Sequence, residues 1–230
     1  MSFDLIRNIR IMIITYHGVD FFKVTFGNTT LAVNPISKDS KIKSTRFGSD
    51  ITLISLNNSL EHNGSDVTSR GDKESFIIRG PGEYEVQGVF IKGFLSKSNY
   101  ESNSAKDGPS QEKINTIYTV QLEDINLCFL GAIGDVNISK ETKEFIDGID
   151  ILFVPIGGDG VLDPATAHKL AVQFEPKIII PSHFGEVGTQ DALKKFLKEA
   201  GEEMNPADKL TVKRKDLEGM EGEVVVLEQV

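Results

Sequence analysis

Short runs of β-branched and aromatic residues, each closed by glycine, proline or asparagine, dominate the first half of the chain. Residues 11–16, 21–26 and 30–33 read as strands, punctuated by Gly18, Gly27 and Pro35. Gly27-Asn28 between two of them predicts a hairpin turn. Further strands are expected over 51–56, 76–79, 84–86, 89–94, 116–122 and 127–130. The stretch 97–113, rich in Ser, Asn, Asp, Gly and Lys, interrupts the pattern and predicts a mobile loop.

The second half alternates strand with helix. A helix is expected over 139–146 with Ser139 as its N-cap, then a buried strand over 151–155. Asp163-Pro164 opens another helix with a capping carboxylate and proline at the first helical position, and Ala167, Leu170, Ala171 and Phe174 share one face. An apolar strand over 178–180 runs into Pro181. Leu193, Phe196, Leu197 and Ala200 then form an amphipathic helix closed by Gly201. Strands over 210–212 and 224–227 end the pattern. A meander followed by strand–helix units predicts two sheets with helices outside, in one domain spanning 1–230.

Composition narrows the functional classes. At 230 residues, 39% hydrophobic and 26% charged, the chain can bury a full core as a globular protein. The net charge of -9 argues against nucleic acid or an anionic membrane as partner. A single cysteine, Cys128, precludes an internal disulfide and fits a cytoplasmic protein; its mid-strand position predicts burial and no reactivity. Asp4, Arg7 and Arg10 interrupt the N-terminus, and no apolar run is long enough for a signal peptide or a membrane span.

Five phrases carry a resemblance when taken in order: Thr15-Tyr16-His17-Gly18, Gly80-Pro81-Gly82-Glu83-Tyr84-Glu85-Val86, Asn115-Thr116-Ile117-Tyr118, Asp150-Ile151-Leu152-Phe153-Val154-Pro155, and Pro176 through Phe184. Together they resemble the metallo-β-lactamase superfamily, in its metal-dependent hydrolase branch similar to ascorbate-6-phosphate lactonases. The resemblance implies an α/β (α+β) fold, a four-layer αββα sandwich of two mixed sheets with outer helices. It also implies a metal site at one edge and hydrolysis by metal-activated water.

Ligand positions implied by the resemblance are thinly occupied. Its His-x-His-x-Asp-His motif falls on Leu56 to His62, where His62 alone matches and Glu61 stands near the aspartate position. No histidine lies between Phe94 and Asn99, and Ala132 follows Leu130-Gly131 where an aspartate is expected. His183, after the strand over 178–180, matches well. Val19 follows Gly18 where the branch has Gly-His, and His17, one position away, would point to the other face. If energy scaled with ligand number, two ligands would supply roughly 5–8 kcal/mol, a dissociation constant between about millimolar and micromolar.

Two functional readings follow. In the first, the fold is kept and the metal site has degenerated: no cofactor, no hydrolase activity, and a binding or structural role as a homo-oligomer or around a small molecule in the vestigial pocket. In the alternative, Glu61, His62, Asp135 and His183 rebuild a catalytic site around one divalent ion, zinc or manganese, and the chain is a hydrolase. His168, beside the apolar stripe of its helix, is expected to be exposed, and His17 to be a hydrogen-bonded strand histidine. The loop Gly157-Gly158-Asp159-Gly160 lacks a nucleotide-binding spacing and would border the pocket.

Overall fold

Strict alternation builds the first sheet: Met12, Ile14 and Tyr16 are buried, and Ile13 and Thr15 between them are only half-buried. The computed structural model describes residues 11–71, 74–101 and 113–230. The first sheet takes β1 (Met12–Tyr16), β2 (Phe22–Phe26), β3 (Thr29–Val33), β4 (Ile51–Leu53) and β5 (Phe76–Ile78). The two-residue turn Gly27-Asn28 joins β2 to β3, with Gly27 at φ +58°, a conformation glycine adopts without steric cost. β12 (Leu210–Val212) completes it in the order β12-β1-β2-β3-β4-β5.

The second sheet contains β6 (Gly82–Val86), β7 (Val89–Ser98), β8 (Lys113–Leu122), β9 (Ile125–Phe129), β10 (Ile151–Pro155), β11 (Ile178–Ser182) and β13 (Glu223–Val224). Its order is β13-β11-β10-β9-β8-β7-β6. β10 runs parallel to both β9 and β11, while β6 to β9 form an antiparallel meander. The first sheet is mixed as well, with β3 to β5 parallel and β12, β1, β2 and β3 antiparallel to their neighbours in turn. Phe22, Phe129 and Phe153 pack between the two sheets, with Phe129 and Phe153 stacked 4.1 Å apart and Phe22 edge-on to Phe153.

Helices α1 (Lys140–Ile146), α2 (Pro164–Gln173) and α3 (Ala192–Ala200) pack on the outer face of the second sheet. Asp163 caps α2 through Ala165 N and Thr166 N, both at 3.1 Å, and Ser139 caps α1 through Thr142 N at 3.1 Å. Among the described residues the outer face of the first sheet is covered by irregular chain and one 3₁₀ turn, Ser65–Val67, rather than by an α-helix. There Thr52 joins Ser49, Thr68 and Ser75 in a hydroxyl network. No helix among the described residues is long and apolar enough to cross a membrane.

Several strand boundaries differ from the sequence pattern. β4 stops at Leu53: Ile54 N still donates to Ile78 O of β5, but from Ser55 the chain peels away and Ser55 O accepts from Thr116 N of β8, bridging the two sheets. β7 extends to Ser98 and β8 begins at Lys113, taking both ends of the predicted 97–113 loop. Just beyond those ends the polar side chains are buried and paired: Asn115 Nδ2 donates to Ser96 Oγ at 2.7 Å and to Leu130 O at 2.9 Å. Of the rest of that loop, 99–101 are irregular and 102–112 lie outside the described residues. β13 ends at Val224, and the last residues continue as isolated bridges to Ala207 and Tyr16.

Candidate metal centre

The peeling of the chain after β4 sets up the site. Residues 55–62 run along the edge where the two sheets meet, and a turn folds them back, with His62 N and Asn63 N both donating to Ser59 O at 3.0 Å. Gly64 closes the turn against Ile36 and Ser37, whose backbone atoms would lie 2.3–2.6 Å from any Cβ there. His62 is thereby fully buried.

His183 arrives from the other sheet. It follows β11 with φ +58°, and its N–H donates to Val19 O at 2.5 Å. Gly157, in the glycine-rich loop after β10, packs so closely that a Cβ would sit 2.2 Å from His183 O. The loop thus borders the site by letting backbone approach backbone. The His62 and His183 rings stack with centroids 4.9 Å apart and Nε2 atoms 2.8 Å apart.

The third member comes from the β1–β2 turn. Asp20, His62 and His183 are all buried and offer ligand atoms within 4.8 Å of one another. Asn34 Nδ2 donates to Asp20 Oδ2 at 2.5 Å, and Asn34 Oδ1 accepts from Ser55 N at 2.7 Å, which ties the carboxylate to the bridging segment. Sequence reasoning missed Asp20. The signal was its setting: a carboxylate between Val19 and Phe21-Phe22, where an unpartnered charge is costly to bury.

Burial dominates the electrostatics. Loss of solvent pushes Asp20 up to about 7, and the Asn34 amide and the Ser182 hydroxyl, which makes no well-formed hydrogen bond, offset part of the rise. Burial pushes His183 down to about 3; burial and the neighbouring His183 hold His62 well below the usual histidine range. Both imidazoles are therefore neutral at physiological pH, the form that binds metal. Two imidazole nitrogens and one carboxylate oxygen make up the donor set of many catalytic metal sites, with room in the coordination sphere for water or substrate. The residues present fit one divalent ion.

Tyr100 closes one side, its ring edge-on to both His62 (5.2 Å) and His183 (5.0 Å). It is buried with Leu56, Ala132 and Val161 in a small apolar cluster. Leu56 and Ala132 hold two positions where the family resemblance implies ligands.

The sequence candidates separate in space. His62 and His183 meet. Glu61 is buried beside them but turns away: Ser59 Oγ donates to its Oε2 at 2.9 Å. Asp135 is half-buried and accepts from Asn137 N at 2.7 Å in its own loop, outside the group that Asp20 completes. His17 is buried among Phe21 and Phe47; its Nε2 lies 3.1 Å from Thr15 Oγ1, but its Nδ1 has no partner, so it is only half satisfied. His168, expected to be exposed, is half-buried with its ring edge-on to Phe196, because α3 packs across α2. Cys128 is buried and its thiol pKa is pushed up by burial.

Residues 13–183 match a family profile described as the beta-lactamase superfamily domain. The chain is 25% identical over 197 residues to a metal-dependent hydrolase of Listeria monocytogenes, covering 75% of this chain and 85% of that one. It is 26% identical over 198 residues to a metal-dependent hydrolase of Listeria innocua, with the same coverage. Among solved structures, a Thermotoga maritima protein described as a candidate zinc-dependent hydrolase of the metallo-β-lactamase superfamily superposes with a TM-score of 0.71 at 24% identity, covering 94% of this chain and 98% of that one. A metallo hydrolase of Ignicoccus hospitalis gives a TM-score of 0.57 at 17% identity, covering 88% and 99%.

Proposed function

This chain belongs to the metallo-β-lactamase superfamily, and from that premise we propose that it is a metal-dependent hydrolase built around one divalent ion, zinc or manganese, held by Asp20, His62 and His183. One observation carries the reading: three buried donor groups from three separate segments converge within 4.8 Å, with the chemistry a catalytic metal requires. The names of the Listeria relatives support it. When bound, the ion supplies Lewis-acid polarisation and acidifies water.

The chain's own residues prepare that chemistry. His62 and His183 present Nε2, and Asn34 holds the Asp20 carboxylate in place. Leu56, Tyr100, Ala132 and Val161 keep one flank dry, which strengthens electrostatic interactions inside the site. With Leu56 and Ala132 supplying no donor, this site holds one ion rather than a bridged pair.

The apolar cluster also favours a second reading, a binding or structural protein without hydrolase activity, because it packs directly against the histidine pair. One experiment separates the two. Protein purified without added metal is analysed for elements and assayed against phosphoesters, lactones and carboxylic esters, with and without a chelator. The hydrolase reading expects close to one transition metal per chain, chelator-sensitive turnover, and loss of both in His183→Ala. Metal-free protein that gains no activity on adding zinc or manganese would overturn it.

A further inference from the structure

Glu61 and Ser59 stand behind the metal centre without belonging to it. Both are buried, Glu61 at 0% and Ser59 at 0% exposure. Ser59 Oγ donates to Glu61 Oε2 at 2.9 Å and also lies 2.9 Å from His62 Nδ1. A hydroxyl has one proton to give. With that proton directed at the carboxylate, Ser59 Oγ can only accept from His62, so His62 Nδ1 carries hydrogen. The chain of donors runs one way, from His62 Nδ1–H to Ser59 O–H to the Glu61 carboxylate.

We propose that Glu61 and Ser59 are positioning residues that lock His62 in its Nδ1–H tautomer and so turn its Nε2 lone pair towards Asp20 and His183. The inference rests on the metal-centre reading for its purpose, though not for its geometry. A neutral imidazole holds one proton. Fixing it on Nδ1 leaves Nε2 a permanent acceptor, which is what a metal ligand must be. A second consequence follows at no change of charge. His62 Nε2 and His183 Nε2 are 2.8 Å apart, and a hydrogen must lie between them in the metal-free protein. His62 has none to offer there, so it belongs to His183. The two histidines therefore hold opposite tautomers before any metal arrives, and His183 must shift its hydrogen to Nδ1 to bind through Nε2.

Glu61 thus takes a role different from that of a ligand. The backbone turn that buries it is the same one that seats His62, with His62 N donating to Ser59 O at 3.0 Å. Ser59, Glu61 and His62 form one local unit of sequence, and only His62 reaches the group of metal-binding atoms.

The test uses ¹⁵N-labelled full-length protein stripped of metal, read by two-bond ¹H–¹⁵N correlation of the imidazole rings. The expected result is the Nδ1–H pattern for His62 and the Nε2–H pattern for His183. Ser59→Ala should abolish the single Nδ1–H state, and Ser59→Thr, which keeps the hydroxyl, should restore it. Zinc affinity, measured by competition with a chromophoric chelator, should weaken about 10–100-fold in Ser59→Ala and recover in Ser59→Thr. An Nε2–H pattern for His62 in the wild type, or an unchanged tautomer in a folded Ser59→Ala, would overturn the proposal. The wild-type spectrum needs no variant, so it decides even if Ser59→Ala does not fold. A wild type that shows Nδ1–H at His62 but takes up no zinc supports the tautomer lock and overturns the metal reading instead.

Discussion

His62 and His183, 121 residues apart in sequence, place their Nε2 atoms 2.8 Å from each other between the two sheets. Each is delivered by a different device: His62 by a turn that folds back on Ser59, His183 by a left-handed residue at the end of β11. With Asp20 beside it, the pair offers two imidazole nitrogens and a carboxylate oxygen to a metal ion.

Metal binding should therefore stabilise the fold through mass action. At a free zinc concentration 100 times the dissociation constant, the gain is about 2.7 kcal/mol. Calorimetric melting with zinc and with excess chelator should show this upward shift in the wild type. His62→Ala and His183→Ala should melt at the same temperature in both conditions.

The two aspartates singled out by sequence and by structure should behave oppositely. Asp20→Ala removes a donor from the buried group and should abolish near-stoichiometric metal. Asp135→Ala removes a bond to Asn137 N at a half-buried loop and should leave metal content unchanged, with a stability loss of about 1 kcal/mol. Elemental analysis and urea unfolding of the two variants side by side read both effects.

Gly157→Ala probes how the second sheet seats His183. A methyl there would meet His183 O at 2.2 Å, so the backbone must move. The expected cost is about 1–3 kcal/mol, together with weaker zinc binding measured by chelator competition. Gly148→Ala separates the two causes of cost: nothing lies near a Cβ there, but its φ of +72° strains an alanine, so it should destabilise without weakening zinc binding.

His17 predicts a pH effect away from the metal centre. Burial, and secondarily Lys23, push it down to about 4. An ordinary histidine at about 6.5 in the unfolded chain binds its proton first as the pH falls. The stability that neutral His17 contributes is fully present above about 6.5 and is lost between there and about 4. The difference in unfolding free energy between wild type and His17→Phe should accordingly change across that window and be flat above it, as followed by urea unfolding at several pH values.

The architecture was largely legible in the sequence. Alternation at Met12, Ile14 and Tyr16, the Gly27-Asn28 turn, and the Asp163-Pro164 helix start are local signals whose causes lie within a few residues. Long-range pairing decided the rest. The ends of β7 and β8 carry serine, lysine and asparagine, which read as loop; the Asn115 and Ser96 side chains pair across the hairpin and make them strand. Among the described residues the α-helices cover the second sheet, a placement that no local pattern specifies.

At the site the division is sharper. The sequence determined that His62 and His183 stand where metal ligands are expected, and that Leu56 and Ala132 do not supply them. Only the tertiary structure decided that Asp20 completes the group and that Glu61 faces Ser59 rather than the centre. The reason is geometric. A ligand set is defined by directions of side chains from segments far apart in sequence, and a one-residue change in a turn reverses such a direction. The spacing of residues along the chain carries no record of which way the turn at Gly18 and Val19 sends Asp20.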